Sequence, residues 1–239
     1  MKSLKILIAI LFFNFSFIAA QEKNVLVFHK TEGFYHESIP KGIKTIQELG
    51  EKYKFKVEET KDSEYFTDDQ LKKYSLVIFL NTTGNVLDLQ QQNAFEGFIN
   101  NGGSYFGIHA ATDTEYDWAW YGKLAGAYFK SHPKITKAEI TVKAPDHPTV
   151  AHLPETWTRV DEWYNFKNIN PEITVLLNLE EHTYEGGENG KNHPIAWYQE
   201  LDGGGKSVYT GGGHTEEAYD EPEFREHILR SILFALGEN

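Results

Sequence analysis

The sequence predicts an α/β fold: a mostly parallel central sheet flanked by helices, with antiparallel additions in the second half. Three observations predict it. Short apolar runs at 24–28, 76–80 and 104–108 have the length and composition of strands buried on both faces. Helical periodicity fills the intervals between them, and strands alternating with helices imply parallel pairing through crossovers. Beyond them, the alternating stretch 134–143 reads as an antiparallel strand.

The elements follow in order. Strand 24–28 leads to a helix over 37–53, with Ile39, Ile43, Ile46 and Leu49 on one face and Pro40 in the first turn. A second strand covers 55–59. Thr67 is a plausible N-cap for a short helix through Asp68, Asp69 and Gln70. After strand 76–80, a helix over 88–100 presents Leu89, Phe95, Phe98 and Ile99, and Gly102-Gly103 closes it before strand 104–108. Further strands fall at 174–179, 194–198 and 206–210. The last helix, 222–236, carries Phe224, Ile228, Ile232 and Leu236 as an apolar stripe.

The first 20 residues read as a signal peptide: Lys2 and Lys5, an apolar run from Ile6 to Phe13, and small residues ending at Ala20. Asn14 and Ser16 interrupt the run, which argues against a membrane-spanning helix. Residues 21–239 then form a single domain, expected in a periplasm or outside the cell, with no lasting membrane insertion after cleavage. Loss of two of the 23 basic residues, against 35 acidic ones, takes the formal charge from −12 to −14. That balance argues against binding nucleic acid. With no cysteine, the chain has no disulfide, no thiolate metal ligand and no thiol nucleophile. Aromatic residues make up 14% of the chain, many of them in glycine-rich or acidic segments, and aromatic rings stack on sugars. On composition alone this hints at a small-molecule carbohydrate partner, with aromatics that simply fill the core and its rim as the other reading.

Ligand sites in open α/β sheets lie beyond the carboxyl ends of the strands. Three histidine-bearing turns follow strands there. One runs from His29 through Gly33 to His36, one carries His109 and continues to Asp113, and one is Gly211-Gly212-Gly213-His214. His109 stands at a sharp strand-to-helix turn of the kind that displays a nucleophile. Asp161-Glu162-Trp163-Tyr164 sets two carboxylates beside two aromatics, and His132 follows a further aromatic stretch.

At these residues the chain resembles the ThuA-like family, named for trehalose utilisation. The motifs are Gly33-Phe34-Tyr35-His36-Glu37, Gly107-Ile108-His109-Ala110-Ala111-Thr112-Asp113, Asp161-Glu162-Trp163-Tyr164, His193-Pro194-Ile195-Ala196-Trp197 and Gly213-His214. Trp163 stands where the family commonly has leucine. The resemblance implies a flavodoxin-like, class I glutamine amidotransferase-like fold without the amidotransferase cysteine. It also implies a role in sugar metabolism, including disaccharides oxidised at carbon 3.

The expected activity is that of a hydrolase or lyase acting on a glycoside or 3-keto-glycoside. His109, Glu162, Asp161 and His214 are the expected acid–base groups, because an imidazole ordinarily titrates near neutral pH. His29, His36, Asp113, His132, Trp163 and Tyr164 are the expected substrate contacts. An alternative gives His29, His36, His109 and His214, with Glu162 as a further candidate, to a divalent metal such as zinc. A further alternative is a non-catalytic sugar-binding module on a degenerate amidotransferase fold.

Overall fold

The structure is a computed structural model and describes residues 23–238. The expected signal peptide lies outside the described residues. Among those described, no helix is long and apolar enough to cross a membrane.

A nine-stranded sheet organises the chain. Five strands run parallel: β1 (Asn24–Phe28), β2 (Lys56–Thr60), β3 (Leu76–Leu80), β4 (Ser104–Ile108) and β11 (Lys206–Thr210). An antiparallel wing continues from β11 through β10 (Pro194–Glu200), β9 (Thr174–Leu179), β6 (Thr136–Val142) and β7 (Thr156–Asp161). The full order is β2-β1-β3-β4-β11-β10-β9-β6-β7. A separate two-stranded ribbon pairs β5 (Tyr128–Ser131) with β8 (Asn165–Lys167).

Alternation of side chains across the parallel half explains its unbroken apolar runs. Val25, Val27, Ile78, Leu80, Phe106 and Ile108 share one core with Ile46 and Leu49 of α1 (Ile39–Tyr53) and with Ile228 and Ile232 of α5 (Pro222–Ala235). Leu26, Phe28, Val77, Phe79 and Tyr105 enter a second core. It contains Leu71 of α2 (Asp68–Leu71), Phe95 and Ile99 of α3 (Leu89–Asn100), and Tyr121 and Leu124 of α4 (Ala119–Ala125). Both faces are covered, so neither strand face needs polar residues. Each fully buried side chain of this kind contributes roughly 1.5–3 kcal/mol.

Local signals set the element ends. Thr67 caps α2 by accepting from the Gln70 amide, and Asp88 forms a reciprocal capping box with Gln91 on α3. Gly102, at φ +94°, ends α3, with the Gly103 amide donating back to the Phe98 carbonyl.

Several elements depart from the sequence reading. The α4 helix, β5, β7 and β8 have no counterpart in it. β7 hid because its pattern is inverted: Trp157, Arg159 and Asp161 point inward while Val160 is exposed. Arg159 stays buried because it pairs with Asp161 and Glu221 and lies over the Trp157 and Phe224 rings.

Candidate metal and acid–base site

The parallel half supplies three histidines at its carboxyl edge, and the wing supplies a carboxylate. His109 follows β4 at φ +47°, a left-handed conformation that histidine tolerates better than most side chains. Gly107 permits this tight turn, since a Cβ there would meet the Tyr105 hydroxyl at 2.6 Å. The buried His109 ring is fixed from two sides. Its Nδ1 lies 3.0 Å from the Gly211 carbonyl, which only accepts, so Nδ1 carries the proton. Its face lies against Tyr164, with ring centroids 4.2 Å apart. Nε2 is thereby aimed at His214 Nδ1, 3.2 Å away, and at Glu162 Oε2, 3.6 Å away.

His214 owes its position to Asp161. The Asp161 carboxylate is fully buried and accepts from the amides of Gly213 (2.8 Å), His214 (3.1 Å) and Glu162 (2.9 Å). Gly213 sits at φ +109°, and its carbonyl accepts from Ser38 Oγ and Asn81 Nδ2. His214 Nδ1 then lies 3.1 Å from Glu162 Oε2. The buried His36 ring completes the set, 5.0 Å from the rings of both His109 and His214. Its Nδ1 has no hydrogen-bond partner.

His36, His109, Glu162 and His214 each present one ligand atom, all within 4.8 Å of one another. Three imidazoles and a carboxylate are a zinc-type donor set. Ligands about 2.0–2.2 Å from a tetrahedral ion lie about 3.3–3.6 Å from one another. The separations among His109, His214 and Glu162, 3.1, 3.2 and 3.6 Å, lie near that spacing, and His36 stands within 4.8 Å of them. This group could therefore hold a metal ion.

Burial, reinforced by His109 and His214, pushes the His36 imidazole down to about 2. Burial alone would raise the Glu162 carboxyl, but the imidazoles of His109 and His214 beside it outweigh that and hold the group well below the usual carboxylate range. Burial pushes Asp113 and the Tyr164 phenol up.

The other expected site residues are placed differently. His132, half-exposed at the mouth, lies with Nδ1 2.9 Å from Glu162 Oε1. Asp113 accepts from the Tyr116 hydroxyl at 2.5 Å. His29 stands outside the quartet. Its amide donates to the Thr60 carbonyl, extending the β1–β2 ladder, and its Nε2 lies 2.6 Å from Glu59. Glu162 occupies the place that the four-histidine reading gave to His29. The oxygens of Asp161 are taken up by three amides and Arg159, so it supports the site from behind. Trp163 has no exposed surface on which a sugar could stack, and its indole donates to the Thr136 carbonyl. Tyr164 is almost fully buried and forms the wall beneath His109.

Sequence reasoning missed Ser38 and Asn81, which set the His214 turn, and the exposed Phe34 and Ile135 beside it. The signal for Phe34 was present: a large aromatic between a glycine and a histidine in a loop. A concavity of about 1100 Å³ lies at the opposite end of the sheet, and no histidine lines it.

The histidine outside the site that burial shifts furthest is His227, pushed down to about 4. Burial keeps it neutral although its Nδ1 lies on the Thr149 carbonyl, a contact that favours the charged ring, and its Nε2 lies 3.2 Å from the Thr210 hydroxyl. The unfolded chain binds a proton there from the ordinary value of 6.5 downward, whereas the folded chain resists until about 4. Its contribution is therefore fully present above pH 6.5 and is lost as pH falls toward 4. The loss is on the order of 3 kcal/mol. Urea titrations at pH 7.5 and 4.5 should show that fall, and a His227→Gln variant should flatten it. An unchanged slope in the variant would remove His227 as the cause.

The chain belongs to the ThuA family, described as trehalose utilisation, whose model matches residues 24–235. No curated protein matches. Among solved structures, a ThuA-like protein from Bacteroides uniformis superposes with a TM-score of 0.78 at 22% identity, covering 93% of this chain and 95% of that one. An α-L-fucosidase isoenzyme from Paenibacillus thiaminolyticus gives 0.60 at 12% identity, over 91% of this chain and 33% of the larger enzyme. A GMP synthase subunit from Thermoplasma acidophilum gives 0.53 at 14%, over 90% and 96%. These likenesses establish the fold, which is glutamine amidotransferase-like with a mostly parallel first half and an antiparallel second half.

Proposed function

We propose that this protein is an extracytoplasmic carbohydrate-processing enzyme. It hydrolyses or eliminates a glycoside, the 3-keto form in particular, at a divalent-metal centre formed by His36, His109, His214 and Glu162. One observation carries the reading: the Gly211 carbonyl fixes the His109 tautomer so that Nε2 faces His214 and Glu162 at ligand-to-ligand distances. The family's link to trehalose utilisation supports a sugar substrate. Glutamine hydrolysis through a thioester is excluded, because the chain has no cysteine.

When bound, a zinc-type ion supplies a Lewis acid for a ketone or for water. The chain's own residues do the rest. Gly211 and Tyr164 orient His109. His132 meets Glu162 Oε1, leaving Oε2 turned toward the nitrogens. Tyr164 covers one face of His109 and keeps water from it. A ketone at carbon 3 acidifies the proton at carbon 2, so expulsion of the aglycone needs only a moderate base. A second reading, direct acid–base work with His109 Nε2 as the acceptor, draws support from the His214–Glu162 pair, which is complete without an ion.

The test is to incubate protein purified without chelator with glycosides and their 3-keto derivatives, following products by mass spectrometry and metal by elemental analysis. Stoichiometric zinc or a similar ion is expected, with turnover of the keto forms lost on chelation and restored by metal. Turnover indifferent to chelator would favour the direct acid–base reading. Saturable sugar binding without turnover would leave only a binding module.

A further inference from the structure

We propose that the cavity beside the quartet is a subsite for one uncharged pyranose ring, with Phe34 as its stacking face and acidic side chains that reject anionic sugars. The inference rests on the carbohydrate reading above and adds the substrate's charge class and its point of contact. The cavity measures about 290 Å³ and lies between His36 and His214, walled by Phe34, Ile135, Glu37, Glu216 and Glu217. Sites for drug-sized molecules span about 300–1,000 Å³, so this volume suits a single ring rather than a chain of them.

Phe34 is 65% exposed and Ile135 47%. A single exposed apolar side chain means little. Phe34, however, is held in place. Its carbonyl accepts from the Thr83 hydroxyl at 3.0 Å, and that hydroxyl oxygen in turn accepts from the Gly33 amide at 3.1 Å. The Glu32 amide donates to the Thr83 carbonyl at 2.8 Å. The ring of Phe34 meets His36 edge-on at 4.9 Å. An aromatic ring with two rotatable bonds on a held backbone loses little freedom when a ligand covers it. The C–H face of a pyranose matches the negative face of such a ring.

Below it, His36 is buried and leaves Nδ1 without a partner. Around it, Glu37, Glu216 and Glu217 are all exposed carboxylates. Hydroxyl groups can donate to them in charge-assisted bonds. A uronate or a sugar phosphate would meet three like charges with no lysine or arginine on the wall to offset them, only the hydroxyls of Ser38 and Thr215 and the two imidazoles.

Calorimetry with the metal-loaded protein tests this. The probes are methyl glucoside, its 3-keto derivative and methyl glucuronide. The better neutral probe should bind about tenfold or more tightly than the glucuronide. Phe34→Ala should weaken the neutral probe by about tenfold while leaving the melting temperature unchanged, because the ring is exposed. Glu217→Gln should narrow the gap between neutral and anionic probes. Neutral binding that is indifferent to Phe34→Ala, or a glucuronide that binds as well, would overturn the subsite and leave the carbohydrate reading standing. No binding of any probe, together with no turnover, would overturn both.

Discussion

A His109→Asn variant should fold, lose nearly all bound divalent metal and turn over sugar substrates about 10²–10⁴-fold more slowly. Asparagine suits the test because it accepts the left-handed backbone that His109 adopts at φ +47°. Its side-chain amide can still reach toward the Gly211 carbonyl, which now takes the His109 Nδ1 proton. What asparagine lacks is a nitrogen lone pair at the position of Nε2, between His214 and Glu162. Elemental analysis, circular dichroism and the keto-glycoside assay together decide the matter. Unchanged metal content would show that the ion is held elsewhere.

That variant probes a residue the sequence made visible, and the reasons are physical. His36, His109 and His214 all fall in turns just past parallel strands or beside them, where topology alone directs side chains to one edge. The parallel strands were legible for a related reason: runs buried on both faces need no alternation, and their composition announces them. Choosing between neighbours was harder. Asp161 is the last residue of β7 and turns to the core, Glu162 leaves the strand and faces the histidines, and Trp163 turns back. A step of one residue reverses the role, and no residue type reveals which step applies. His29 illustrates the same point. One extra ladder bond, from its amide to the Thr60 carbonyl, is enough to leave it on Glu59.

The second large effect separates these neighbours. Asp161→Ala should cost about 3–5 kcal/mol, because it leaves Arg159 short of one partner in a buried setting and orphans three amides. For a chain of this size that corresponds to a melting temperature roughly 6–20 °C lower. Glu162→Gln should behave in the opposite way, with little change in the melting temperature of the metal-free protein and loss of metal and turnover. Arg159 keeps its contact with Glu221 at 3.0 Å, so the Asp161 variant should still fold at low temperature. Thermal scans of the two variants side by side read the difference. An Asp161→Ala protein as stable as the parent would mean that its hydrogen bonds to the His214 turn contribute little.

The sheet's division has a consequence for cooperativity. Three of the four converging groups come from the parallel half, and the fourth arrives on the connection from β7 to β8 at the far side of the antiparallel wing. An ion bound there would act as a cross-brace between parts of the chain that fold around different neighbours. Any opening of the wing would first have to surrender Glu162, so the free energy of occupancy is added to the cost of that opening. Amides of β6 and β7 would then exchange with solvent in step with metal concentration, although neither strand carries a histidine of the quartet. Occupancy of a few cubic ångströms at one edge would be reported by the slow breathing of strands at the other.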